Sequence, residues 1–270
     1  GQVSVRTVKL FADGVIEAGT AALLAPYDDA PDTCGLPVWE PRELAAAAAA
    51  FDADGFQLHI HAIGDAGVRA ALDAVEHVAR VNGPRDRRPV VAHTQLVDPD
   101  DLGRFAALGV IANFEPLWTR LDPVMTDLTL TRIGGRRGGR QYPMASLLRS
   151  GAALSMGSDW PVSSHRPLEG LPVAVTRQTA DGEPPGGWVP DERLPASAAL
   201  AAYTAGVAHQ AFEGERWGGV AVGRRADLVW LDDDPLDTDP LAWPQLRVLG
   251  TWLGGTATWL HGAGHVARPN

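Results

Sequence analysis

One cysteine, Cys34, is all the chain carries, so no internal disulfide can form. That suits a reducing compartment, and the expected setting is the cytoplasm. Cys34 sits in the turn-like stretch PDTCG with no base beside it and reads as an incidental loop thiol. No apolar run approaches the ~20 residues of a membrane span, and no signal peptide is recognisable. The chain opens on Gly1 and enters a strand within a few residues, so the natural N-terminus is expected to lie elsewhere. Basic residues are nowhere concentrated and the net charge is -10. Neither nucleic acid nor an anionic membrane is expected as a partner; a small-molecule substrate is.

What is present is a chain of 270 residues, 45% hydrophobic and 21% charged, long enough to bury a sizeable core. Short β runs alternate with helical periods. Residues 3–11 read as a strand, followed by a long polar connection to about Trp39, of the kind that is often functional on α/β folds. PRELAAAAAAF reads as a helix with Pro41 in its first turn. GFQLHIHAIG is a second strand, and Val68, Ala71, Leu72, Val75, Val78 and Ala79 then recur at helical spacing up to Asn82-Gly83-Pro84. RPVVAHTQLV, VIANFEPLW and AALSMGSDWPV read as three further strands. Helices are expected after Asp98-Pro99, over 142–150, near 168–178 and over 195–212, whereas Arg136-Arg137 with its glycines reads as a mobile basic loop. The strands are apolar throughout, as in parallel sheets covered on both faces. After Phe212 short antiparallel strands are expected, with Gly254-Gly255 as a hairpin turn and Pro235, Pro240 and Pro244 in a loop between strands.

Ionisable residues gather at the C-terminal ends of the predicted strands: Lys9, His61, His93, Glu115 and Asp159. In a barrel that rim is where active sites form. No one of them is informative alone; their joint order is. Imidazole and carboxylate suit zinc and related divalent ions. Glu115, Trp118 and Trp160 are candidates for a substrate pocket, Asp13 and Asp65 for capping or support, and His165 for a solvated loop.

The segments VKLFADGVIEAGTAALL, HAIGDAGVRAALDAVE, VVAHTQLV, GSDWPV and GVAVGRRADLVWLDDDP resemble the amidohydrolase superfamily, most of all its N-substituted formamide deformylases and exoenzyme-regulator-like proteins. The resemblance runs over nearly the whole chain. It implies a partial (β/α)8 TIM-type barrel, equivalent to strands 4–8, over residues 1–213, and the C-terminal part of a small β-sandwich cap over 214–270. It also implies a site in which Lys9, His61, His93 and Asp159 are metal ligands. Lys9 would be a bridging ligand once carbamylated, and Asp159 would also be the general base. The cofactor the resemblance implies is one or two divalent ions, with zinc the expected metal.

His59 and His61 share a strand face and could in principle chelate together, but AIGD follows them where the family's first-strand H-x-H pair has other residues. His61 is therefore taken as the fifth-strand ligand and His59 as a packing residue. The first-strand H-x-H pair is not found. The expected function is metal-dependent hydrolysis of a non-peptide C–N bond (amide, formamide or cyclic amide) by a chain that is a fragment. The alternative is an inactive truncated barrel acting as a regulatory or interaction module. Open sheet edges are expected to drive self-association.

Overall fold

A computed structural model describes residues 4–262 and the short strand Gly264–His265. The expected start of the first strand at residue 3 and the last residues of the expected C-terminal unit lie outside the described residues. In chain order the elements are β1 (Thr7–Phe11), α1 (Pro41–Ala53), β2 (Gln57–Ala62), α2 (Asp65–Asn82), β3 (Val90–His93), α3 (Leu102–Ala107), β4 (Ile111–Phe114), α4 (Leu130–Gly138), α5 (Met144–Arg149), β5 (Ala153–Met156), α6 (Pro167–Thr176), α7 (Ala196–Ala201), α8 (Val207–Gln210), β6 (Leu228–Leu231), β7 (Val248–Leu253), β8 (Thr256–Leu260) and β9 (Gly264–His265). Among the described residues no helix is long and apolar enough to cross a membrane.

Strands β1 to β5 form one parallel sheet in sequential order. Side chains alternate across a strand, so each register row shares a face. The row Leu10, Ile60, Val91, Ala112 and Leu154 lies in the main core with Leu44 of α1, Leu72 and Val75 of α2, Phe105 of α3 and Leu147 of α5. The other face is not the apolar surface expected from the sequence. It carries Gln57, Lys9, His59, His61, Asn113 and Ser155, and along β1 it is open to solvent, with Phe11 50% exposed. Sequential parallel winding with the helical core gathered on one face leaves the opposite face free for chemistry.

Several helices start as the sequence dictates. Pro41 opens α1, and the Asp98 carboxylate accepts the Asp100 N–H ahead of α3. Helix α2 lacks a side-chain cap; the carbonyl of Ala22, from the long connection after β1, accepts the Ala66 and Gly67 N–H groups instead. That connection is a folded loop with its own small core of Ile16, Leu23 and Tyr27 against Ile63, Leu96 and Ile133.

The Arg136-Arg137 stretch corrects the sequence reading. It lies in α4, preceded by a π-helical turn at Met125–Thr129. Arg137 is 8% exposed, and its guanidinium donates to the carbonyls of Ile133, Ala25 and Pro26 and to Asp28. Burial of the cation against four acceptors orders what composition alone marks as loop.

The C-terminal strands form a four-stranded antiparallel sheet in the order β6-β7-β8-β9, with Gly254-Gly255 at the β7–β8 turn. Pro235, Pro240 and Pro244 fall between β6 and β7, and Trp243 of that connection is fully buried in the main core. Among the described residues this sheet is a single layer.

Candidate functional site

His61 reaches the site from the open face of β2. Its Nε2 lies 3.0 Å from the Gly14 carbonyl oxygen and 3.7 Å from Asp13 Oδ1, and its ring centroid is 5.0 Å from that of Phe11 on β1. Burial lowers its pKa to about 4, with His93 and Lys9 lowering it further while the Gly14 bond and Asp159 pull the other way. His59, one pleat earlier and in register with Lys9, is lowered to about 3 by burial and then by the charges of Lys9 and His93.

His93 should by alternation face the helices, because its register partner Ala62 belongs to the main core. It does not. Its φ is +74°, that of Thr94 is +45°, and this left-handed pair turns the ring to the open side. There its centroid is 4.6 Å from that of His61, edge to face, and 5.2 Å from Trp118, whose ring lies within 7° of parallel. His93 Nδ1 lies 2.9 Å from Glu115 Oε2, and both side chains are buried. With Nδ1–H donated to Glu115, Nε2 carries the lone pair. Left-handed non-glycine residues cost about 1–3 kcal/mol and cluster where function requires a direction the fold would not otherwise give.

Asp159 follows β5, also left-handed at φ +50°, and is exposed. Its carboxylate makes no hydrogen bond to a described residue. Lys9 is the only lysine among the 23 basic residues. As a residue it is exposed at the uncovered edge of the sheet, yet partial desolvation of its ammonium lowers its pKa, against the raising influence of Glu115 and Asp159. His61 thus lies within electrostatic influence of His93, Lys9 and Asp159, and Lys9 within that of Asp159.

The donor chemistry suits a divalent metal in part. Two imidazoles are brought together, and one is oriented by a buried carboxylate, a common arrangement behind metal-binding histidines. The number does not suffice: among the described residues no group of three or more His, Cys, Asp or Glu side chains is placed to hold a metal ion.

The remaining candidates separate. Glu115 is bonded to His93, and Trp118 both stacks on His93 and lines a cleft of about 350 Å³. Trp160 is 67% exposed and lies outside that lining. His165 is in an exposed bend and Cys34 is exposed. Asp13 is 2% exposed and its carboxylate accepts the N–H groups of Ala22, Ile63 and Gly64, stitching the loop after β1 to the turn after β2. Burial raises its pKa to about 6 in spite of these bonds. Asp65 accepts the N–H groups of Leu24 and Ala66. Sequence reasoning missed the Gly14 carbonyl and the cleft walls from Tyr142 and Gln95. The solitary lysine was a readable signal; the left-handed turns at His93 and Asp159 were not.

Over residues 1–258 the sequence matches the family model described as "Amidohydrolase family". It is 35% identical to Protein LONG AFTER FAR-RED 3 of Arabidopsis thaliana across 92% of this chain and 42% of that protein. It is 30% identical to the N-substituted formamide deformylase of Arthrobacter pascens across 74% of this chain and 36% of that protein. Among solved structures, an uncharacterized metal-dependent hydrolase from Pyrococcus horikoshii superposes with a TM-score of 0.76 at 30% identity, over 87% of this chain and 46% of that one. The chain thus spans less than half the length of each of these relatives.

Proposed function

Because the chain belongs to the amidohydrolase family, we propose that it forms part of a metal-dependent hydrolase of non-peptide C–N bonds, acting on an amide, formamide or cyclic amide. The observation that carries this reading is the meeting of His61 and His93, ring centroids 4.6 Å apart, with Lys9 and Asp159 in electrostatic reach at the C-terminal end of a sequential parallel sheet. One open face and one helix-covered face suit five strands of a (β/α)8 barrel wall, residues 1–213 on this reading, with 214–270 contributing to a β-sandwich cap.

His61, His93, Lys9 and Asp159 would contribute to holding the ion, zinc by the nature of the donors. The rest of the set, an H-x-H pair, would come from outside this chain. A bound ion would supply Lewis acidity toward the scissile carbonyl. Asp159, exposed and with its carboxylate making no hydrogen bond to a described residue, would accept a proton from the attacking water and return it to the leaving nitrogen. The C–N bond breaks, giving a carboxylic acid and an amine. Lys9 would act as a ligand only after its neutral amine adds to carbon dioxide and the nitrogen releases a proton to solvent, leaving an anionic carbamate. Desolvation favours that neutral form.

The test is turnover of amide and formamide substrates with zinc supplied, in the chain alone and with the H-x-H segment of a relative added. Asp159→Asn is expected to abolish turnover with unchanged circular dichroism. Retained turnover removes Asp159 from the mechanism. Because Lys9 is the sole lysine, ¹³C-bicarbonate labelling should give a side-chain carbamate resonance that vanishes in Lys9→Arg.

A second reading, a non-catalytic regulatory or interaction module, is favoured by the lack of a three-donor group among the described residues. Metal stoichiometry divides the two. Tight equimolar zinc supports the hydrolase, and none bound in any form supports the module.

A further inference from the structure

The cleft beside His93 has the size of a small-molecule pocket, at about 350 Å³. Trp118 forms the wall it shares with His93, so the cleft begins one ring away from the candidate centre. Val15, Ile63, Leu117 and Met125 make most of the rest apolar.

Two buried polar side chains open onto this apolar space. Tyr142 is 2% exposed, and its hydroxyl makes no hydrogen bond to any described residue. Gln95 is also 2% exposed; its amide nitrogen donates to Gln141 Oε1 at 2.7 Å, and its own Oε1 receives no donor from the described residues. Neither atom is among the fully enclosed polar atoms that lack partners, so both border open space, and the cleft is the space their residues line. The pair is prebuilt. Tyr142 is held at φ +51° by its N–H to the Gln95 carbonyl at 2.6 Å and by Arg177 donating to its own carbonyl at 3.2 Å. Burial, and then the charges of Glu17 and Glu115, push the phenol pKa well above its usual value, so the hydroxyl remains a donor.

Arg120 pairs with Asp122 at 3.3 Å, so an anionic ligand would find no free cation in the cleft lining. Glu17 accepts a hydrogen bond from Thr129 but forms no ion pair among the described residues, so its carboxylate keeps its charge at the wall.

Resting on the hydrolase reading of the neighbouring centre, we propose that this cleft is the substrate-selecting pocket and takes an aromatic or similarly flat apolar substituent that carries no negative charge and bears an adjacent acceptor and donor, read by the Tyr142 hydroxyl and Gln95 Oε1. Each such hydrogen bond to a buried group is worth about 1 kcal/mol, or roughly fivefold in affinity.

The test uses the full chain with no metal added. Benzamide and benzoate, which are neutral and anionic, are titrated by calorimetry and ligand-observed NMR. Benzamide is expected to bind, with benzoate about tenfold weaker or more. Tyr142→Phe and Gln95→Leu should each weaken benzamide about fivefold, and either serves if the other fails to fold. Val124→Trp, which fills the mouth from a position 52% exposed, should abolish binding. Preference for benzoate, or benzamide affinity unchanged in Val124→Trp, overturns the proposal. The two readings fail separately. Aromatic amides bound in the cleft and never hydrolysed by the protein supplied with zinc and the H-x-H segment sink the hydrolase and spare the cleft. Hydrolysis indifferent to Val124→Trp does the reverse.

Discussion

At His93 and Thr94 a left-handed pair of backbone angles decides which side of the sheet an imidazole occupies, and the contact of its Nδ1 with Glu115 then fixes the ring. Glu115→Leu would leave a buried Nδ1–H with no acceptor. We expect a loss of about 1–3 kcal/mol, read as a lowered urea midpoint. An unchanged midpoint would mean that the ring finds another partner.

The buried ionisable groups also set a pH dependence. His59 and His61 have folded-state pKa values of about 3 and about 4, below the ~6.5 of an unfolded histidine. The folded chain rejects protons that the unfolded chain binds, so their stabilising contribution is full above pH ~6.5 and is lost as pH falls toward 4. Asp13, raised to about 6, acts oppositely: its contribution is present at low pH and is lost as pH rises through about 6. Two imidazoles outweigh one carboxyl, so stability should fall by roughly 2 kcal/mol from pH 7 to 5. Denaturant titrations at the two pH values check this, and His59→Asn should flatten the slope.

At the scale of elements, strands and helices with a clear apolar period were legible, and the segments held by tertiary contacts were not. β1 to β5 lie where the hydrophobic runs put them, and α2 follows its helical spacing. Residues 130–138 are rich in glycine and arginine; they form two helical pieces joined across a kink at Gly134, φ +67°, and the buried Arg137 contacts hold the second piece in place. The gathering of ionisable residues at strand ends was readable because it needs only strand order. The cleft was not, because its walls come from segments far apart in sequence. The join between the loop after β1 and the start of α2 is similarly invisible in sequence, yet it is tight. A Cβ on Gly64 would stand 2.0 Å from the Ala22 carbonyl oxygen, which itself caps α2. Gly64→Ala should therefore cost about 1–3 kcal/mol through backbone displacement, seen as a lower thermal midpoint. An unchanged midpoint would mean the loop yields freely.

At the scale of the molecule, β1 and β5 end the parallel sheet without a further strand among the described residues, and β6 ends the second sheet with Leu228, Val229 and Trp230 exposed. Unpaired edges and exposed apolar strands favour association. Concentration-dependent self-association is expected in light scattering, and a monodisperse monomer at high concentration would count against it.

The Arg137 anchor has a further consequence. The loop after β1 and the helix after β4 share one buried cation and one small core, so neither can melt alone. Amide exchange should release residues 21–28 and 130–138 as one cooperative unit, slower than solvent-facing turns elsewhere.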